Sequence, residues 1–226
     1  QQLQKGHYTV TAEVVGDINT VTSTHNSVSS PSILVDTVAP TLLSVTVDKT
    51  NLKMGETAAY TLTFDEDPGN TLSADDFIIP MDANSVAMGN IKGISGNGLT
   101  RTVFFEPTVN TASTGIALQL KANSFADAVN NTGIIGATVI WPSLTIDTIA
   151  PFVTGITISG VNGLTDAAIK PNEAMVVGDI IHVSLDMSET VIVSDVPTFT
   201  IDVGGVIKSA SYNRAKSSNT KLVFTY

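Results

Sequence analysis

The 226-residue sequence contains no cysteine, which removes disulfide frameworks, zinc–thiolate centres and thiol nucleophiles from consideration. Charge is scarce as well: Asp, Glu, Lys and Arg make up 14% of the residues, against roughly 25% in an average soluble protein. The charge present is acidic, 21 Asp and Glu against 11 Lys and Arg for a net of −10. Nucleic acids and anionic membranes need basic patches and are not expected as partners, whereas a divalent cation suits this balance. No apolar run approaches the roughly 18 residues of a membrane span. The longest candidate, 133–141, has nine residues and two glycines, so membrane insertion is not expected. His7, His25 and His182 are dispersed along the chain. No nucleophile, base and orienting group can be placed together, so the chain does not read as an enzyme. The opening Gln1-Gln2-Leu3-Gln4 has neither an initiator Met nor a basic-then-apolar leader and reads as an internal piece of a longer protein.

What is abundant is hydroxyl. Ser and Thr number 50, a polar surface that suits exposed β-strands better than helices. Period-two alternation recurs: Tyr8, Val10, Ala12 and Val14 against Thr9, Thr11 and Glu13, and Tyr60, Leu62 and Phe64 against Thr61 and Thr63. These read as half-buried antiparallel strands, separated by turn chemistry such as Asp67-Pro68-Gly69-Asn70 and Ser95-Gly96-Asn97-Gly98.

The chain also repeats itself. Val35-Asp36-Thr37-Val38-Ala39-Pro40 returns as Ile146-Asp147-Thr148-Ile149-Ala150-Pro151, a spacing of 147 − 36 = 111 residues, which is one domain. Gly55-Glu56 before the strand Tyr60–Glu66 matches Gly178-Asp179 before Val183–Glu189. Thr102–Phe105 reads like Leu222–Thr225, and Gly6–Val14 like Gly115–Lys121. Residues 1–36 are thus read as the closing part of a domain, 37–147 as a complete domain and 148–226 as a domain lacking its last strands. About seven strands in about 110 residues describe an Ig-like sandwich, so the fold class is all-β, with tandem Ig-like β-sandwich domains arranged end to end.

The repeated D-T-x-A-P junctions, the Gly-acidic turn before an alternating strand, and Asp127-Ala128-Val129-Asn130-Asn131-Thr132-Gly133 resemble the bacterial Ig-like repeats of large secreted adhesins and other cell-surface proteins. The resemblance implies an extracellular or cell-surface location and calcium at domain junctions. Related repeats also occur in surface-layer proteins.

Ig-like topology brings the entering linker, the loop after the second strand and the last loop to one pole. Asp36, then Asp65, Glu66 and Asp67, then Asp127, Asn130 and Asn131 therefore converge on the top of the middle domain, an oxygen-rich set that suits calcium. The matching set for the third domain is Asp147, Glu189 and Asp186, with Asp17 as the last-loop counterpart in the first fragment. The alternative for Asp before Thr is a turn cap. Trp141, the single tryptophan, is read as packing in the last strand, in or beside the core.

Two functional readings follow. One is a structural spacer or stalk of an extracellular adhesin or surface filament, stiffened by calcium. The other is a module that itself binds a host or matrix glycan or protein. Partners are neighbouring copies of the repeat, head to tail, joined either within one continuous chain or by strand addition between chains.

Overall fold

A computed structural model describes residues 5–9, 11–12, 28–29 and 32–226. Val10, Val14, Asp17 and His25, named above, lie outside the described residues. The chain packs as two units, Gln1–Ile149 and Ala150–Tyr226. Both are all-β, and among the described residues the only helical element is a 3-10 turn, Ala74–Asp76.

The first unit opens with four short strands. β1 (Gly6–Tyr8) pairs antiparallel with β4 (Ile33–Val35), and β2 (Thr11–Ala12) with β3 (Val28–Ser29). Its main sheet has the order β13-β5-β7-β10-β9, formed by β5 (Thr41–Val47), β7 (Ala58–Phe64), β9 (Gly89–Ser95), β10 (Thr100–Pro107) and β13 (Ile134–Ile135). Facing it is β11-β14-β6, made of β6 (Asn51–Lys53), β11 (Ala112–Ile116) and β14 (Leu144–Asp147), while β8 (Phe77–Ile78) pairs with β12 (Gln119–Leu120). The alternation read in β7 is the burial pattern itself: Ala58, Tyr60, Leu62 and Phe64 are buried and the residues between them half-buried. These side chains meet Val45, Val103 and Phe105 from their own sheet and Leu52, Leu144 and Ile146 from the facing one, which makes the unit a sandwich.

Three local expectations need correction. The stretch Gly115–Lys121 is not one strand. It keeps its alternation, but β11 pairs with β14 and β12 with β8, so the chain changes sheets at Ala117-Leu118. Two pairings, β13 with β5 and β14 with β6, are parallel rather than antiparallel. Trp141 lies between β13 and β14 rather than in a strand. Its ring packs against Tyr60 and Phe77, with centroids 6.2 Å and 6.5 Å away, which engages the one tryptophan beside the core.

The second unit holds a single described sheet of order β15-β16-β19-β18-β17. Its strands are β15 (Val153–Val161), β16 (Ile180–Met187), β17 (Thr198–Val203), β18 (Val206–Tyr212) and β19 (Lys221–Thr225). The run β15-β16-β19-β18 repeats β5-β7-β10-β9. Leu62 pairs with Val45 as Leu185 pairs with Ile156, and Tyr60 with Val103 as Val183 with Phe224. This register corrects the sequence pairing of Thr102–Phe105 with Leu222–Thr225 by one residue: Arg101–Phe104 is the true counterpart. It likewise makes Gly6 equivalent to Ser113 rather than Gly115, because Gly6 pairs with Val35 as Ser113 pairs with Ile146.

Candidate cation site and chain junctions

The pole where the chain enters the first sandwich is built by three segments. β7 ends at Phe64, and the loop that follows is stapled to the loop before β13. Thr71 Oγ1 donates to the Ala126 carbonyl at 3.0 Å and accepts from the Ala126 N–H at 2.8 Å. Gly69 lies flat against the same loop: at φ +65° a Cβ there would stand 3.0 Å from the Ala126 oxygen, so only glycine allows the approach. The linker is then held by Asn131, whose Nδ2 donates to the Asp36 carbonyl (3.2 Å) and to Asp127 Oδ2 (2.7 Å).

The outcome is that Asp36, Glu66 and Asp127 place carboxylate oxygens within 4.8 Å of one another. The ammonium of Lys5 sits among them, 3.2 Å from Asp36 Oδ2 and hydrogen-bonded to Glu66 Oε1. The Glu66 bond, opposed by desolvation and aided by Asp36, raises the Lys5 pKa. Asp127 is nearly fully buried. Burial opposes its ionisation, but hydrogen bonds from the Asn131 side chain and backbone and the Val129 N–H, together with the charge of Lys5, prevail and hold its carboxyl below the ordinary range. Glu66 Oε2 is buried and has no hydrogen-bond partner among the described residues, so the pocket retains unsatisfied acceptor capacity.

The other expected ligands are engaged differently. Asp65 Oδ1 accepts from the Thr41 N–H at 2.7 Å, tying β5 to β7. Asp67 is taken by Arg101, a buried guanidinium that also reaches the carbonyls of Gly69, Gly98 and Thr100. Asn130 sits at φ +69° in a turn whose N–H bonds the Asp127 carbonyl, and its neighbour Asn131 contributes the side chain. In the second unit Asp186 lies 3.8 Å from Lys221, and Glu189 follows β16 as a half-buried residue. Lys5 and Arg101 were not singled out from sequence. Lys5 has no counterpart in the repeat, since its equivalent position is Ala112, and Arg101 looks in sequence like any exposed strand residue.

The recurrent Asp of the junctions has a local duty as well. Asp36 Oδ1 accepts from the Val38 N–H and Asp147 Oδ1 from the Ile149 N–H, both at 3.2 Å. Each copy of D-T-x-A-P is therefore an Asx turn. At the exit pole Thr148 is buried; its Oγ1 donates toward the carbonyls of Thr108 (2.8 Å) and Thr111 (3.1 Å) and accepts from the Thr111 N–H (2.8 Å). The adjacent carboxylates Asp75 and Asp76 do not form a pair: Asp76 Oδ2 accepts from the backbone and hydroxyl of Ser73, closing a turn.

Comparison with known proteins agrees with this geometry. None of the curated proteins and none of the solved structures matches the chain. A family model does match, over residues 36–140, and its description is "Bacterial Ig-like domain". The match begins at the Asx-turn Asp36 and spans the main sheet of the first sandwich, and residues 36–140 of this chain are therefore a bacterial Ig-like domain.

Proposed function

We propose that this chain is a spacer segment of a bacterial extracellular adhesin or surface filament, with Ig-like domains end to end and calcium stiffening the junctions. Domains of this family are non-catalytic structural modules typical of surface proteins, and the observation that carries the spacer reading is the pinned junction. Both D-T-x-A-P copies form the same Asx turn, Thr148 is locked to the sandwich, and Pro40 and Pro151 restrict the backbone on the far side of each turn. A spacer needs such stiffness where a flexible tether would not. The proposed division is a closing domain part at 1–36, a complete domain at 37–147 and a further domain from 148.

The residues at the entry pole fit a divalent cation. Asp36, Glu66 and Asp127 would hold it, Lys5 already stands there as a cation, and Glu66 Oε2 has an acceptor to offer. Calcium would supply neutralisation of the three carboxylates in place of the ammonium. On sequence recurrence alone, the reading extends to Asp147 and Glu189.

Two measurements test the proposal. Small-angle scattering should give a radius of gyration well above the about 17 Å of a globular chain of this length; a value near that figure rejects the end-to-end spacer. For calcium, affinities of extracellular modules lie on the order of 10⁻⁴ to 10⁻³ M. A cation at about tenfold its dissociation constant adds about 1.4 kcal/mol. The first unit should then melt higher in millimolar calcium than in chelator, and more so in Lys5→Gln, where no ammonium competes. Melting unchanged by chelator in both proteins rejects the calcium site.

A further inference from the structure

The second unit's sheet presents its core side to solvent. Ile156 repeats Val45 in register, yet is 59% exposed where Val45 is 7%. Ile158, the counterpart of Val47, is 68% exposed. In the first unit that face is closed by β14, whose Leu144 and Ile146 are each 1% exposed. β14 also pairs in parallel with β6, Thr145 with Asn51, Ile146 with Leu52 and Asp147 with Lys53.

The counterpart of β6 is identified by its turn. The Lys53 N–H donates to the Glu56 carboxylate and the Val176 N–H to the Asp179 carboxylate, and Gly55 and Gly178 both have positive φ. Ala174–Val176 therefore stands where Asn51–Lys53 does. It is not a strand, and Met175 is 40% exposed where Leu52 is 3%.

The complementary half is at the other end of the chain. β1 and β4 pair with the register of β11 and β14, so Ile33 repeats Leu144 and Val35 repeats Ile146. Ile33 is 60% exposed. This strand pair is anchored at the entry pole of the first unit by Lys5 and Asn131, whereas the chain leaves that unit at the opposite pole, through Thr148. The seven residues of β7 separate the two poles by about 20 Å.

We propose that the β1–β4 strand pair of one copy docks on the open sheet face of the second unit of another. β4 then adds in parallel to Ala174–Val176, with Leu34 opposite Ala174, Val35 opposite Met175 and Asp36 opposite Val176. The contact is heterologous and open-ended, so it builds head-to-tail chains rather than closed dimers. It rests on the repeat register and is independent of calcium.

The test is sedimentation velocity of the full chain over a range of concentrations, with folding of each variant checked by circular dichroism. The wild-type protein should give a concentration-dependent ladder of species. Ile33→Glu, and separately Ile156→Glu with Ile158→Glu, should each weaken association at least about tenfold, since each buries an unpaired carboxylate. Mixing these two variants restores one good contact per pair and should give a dimer with one copy of each and nothing larger. Because the chain has no native cysteine, Val35→Cys and Met175→Cys chains should form a disulfide-linked heterodimer when mixed and oxidised. A wild-type monomer at every concentration overturns the proposal, as that result means the faces stay open or close within one chain. Self-association that survives Ile33→Glu, or a mixture that gives no heterodimer, also overturns it, pointing to the sheet face packing on itself.

Discussion

A buried histidine shows how one side chain sets a local condition on the fold. His182 lies on β16 with its ring buried. Burial, then the charge of Lys216, lowers its pKa below the ordinary 6.5, and the more distant Asp166, itself paired with Lys216, only partly offsets this. The folded state therefore keeps His182 neutral where the unfolded chain binds a proton. Stability of the second unit should be at its full value above about pH 6.5 and fall as pH drops through that value, by at most about 1.4 kcal/mol per pH unit. The loss stops once the folded-state pKa is passed. Urea unfolding of the second unit between pH 5 and 7.5 measures it, and His182→Asn should flatten the slope across this window. An unchanged slope in that variant would assign the dependence to carboxylates.

Elements rather than single residues carry the junction. Thr148 closes the exit pole because its hydroxyl serves three backbone groups of the turn after β10. Thr148→Val keeps the shape and removes the bonds, leaving buried Thr108 and Thr111 groups unsatisfied. The first unit should lose about 1–3 kcal/mol, read as a lower midpoint in denaturant. The same scale shows what the sequence made legible. The alternation of Tyr60, Leu62 and Phe64, the repeat spacing and the convergence of Asp36, Glu66 and Asp127 all follow from periodicity and topology, and all are present. Register is different in kind. Matching Phe104 to Phe224 by letter is one residue off, and such a slip turns every side chain to the other face; only cross-strand pairing resolves it. Asp67 was equally ambiguous, because its diversion to Arg101 depends on a hairpin partner 34 residues away.

At the scale of the whole molecule, the two units differ in how much apolar surface they close. Among the described residues the first has fifteen buried apolar side chains in one cluster, drawn from two facing sheets, and the second has four in one sheet. A fully buried Leu or Phe contributes about 1.5–3 kcal/mol relative to an exposed one, so the deficit is large against the marginal stability of any domain. Scanning calorimetry should resolve two transitions, the lower belonging to the second unit. If β1–β4 of a second copy covers the open face, that copy is a ligand of the folded state alone. Raising its free concentration to about a hundredfold the dissociation constant adds about 2.7 kcal/mol to the weaker unit. The lower transition should therefore move upward with protein concentration while the upper one stays in place, and Ile156→Glu with Ile158→Glu should hold both fixed. A single transition, independent of concentration, would mean that the second unit does not melt on its own and gains nothing from a neighbour.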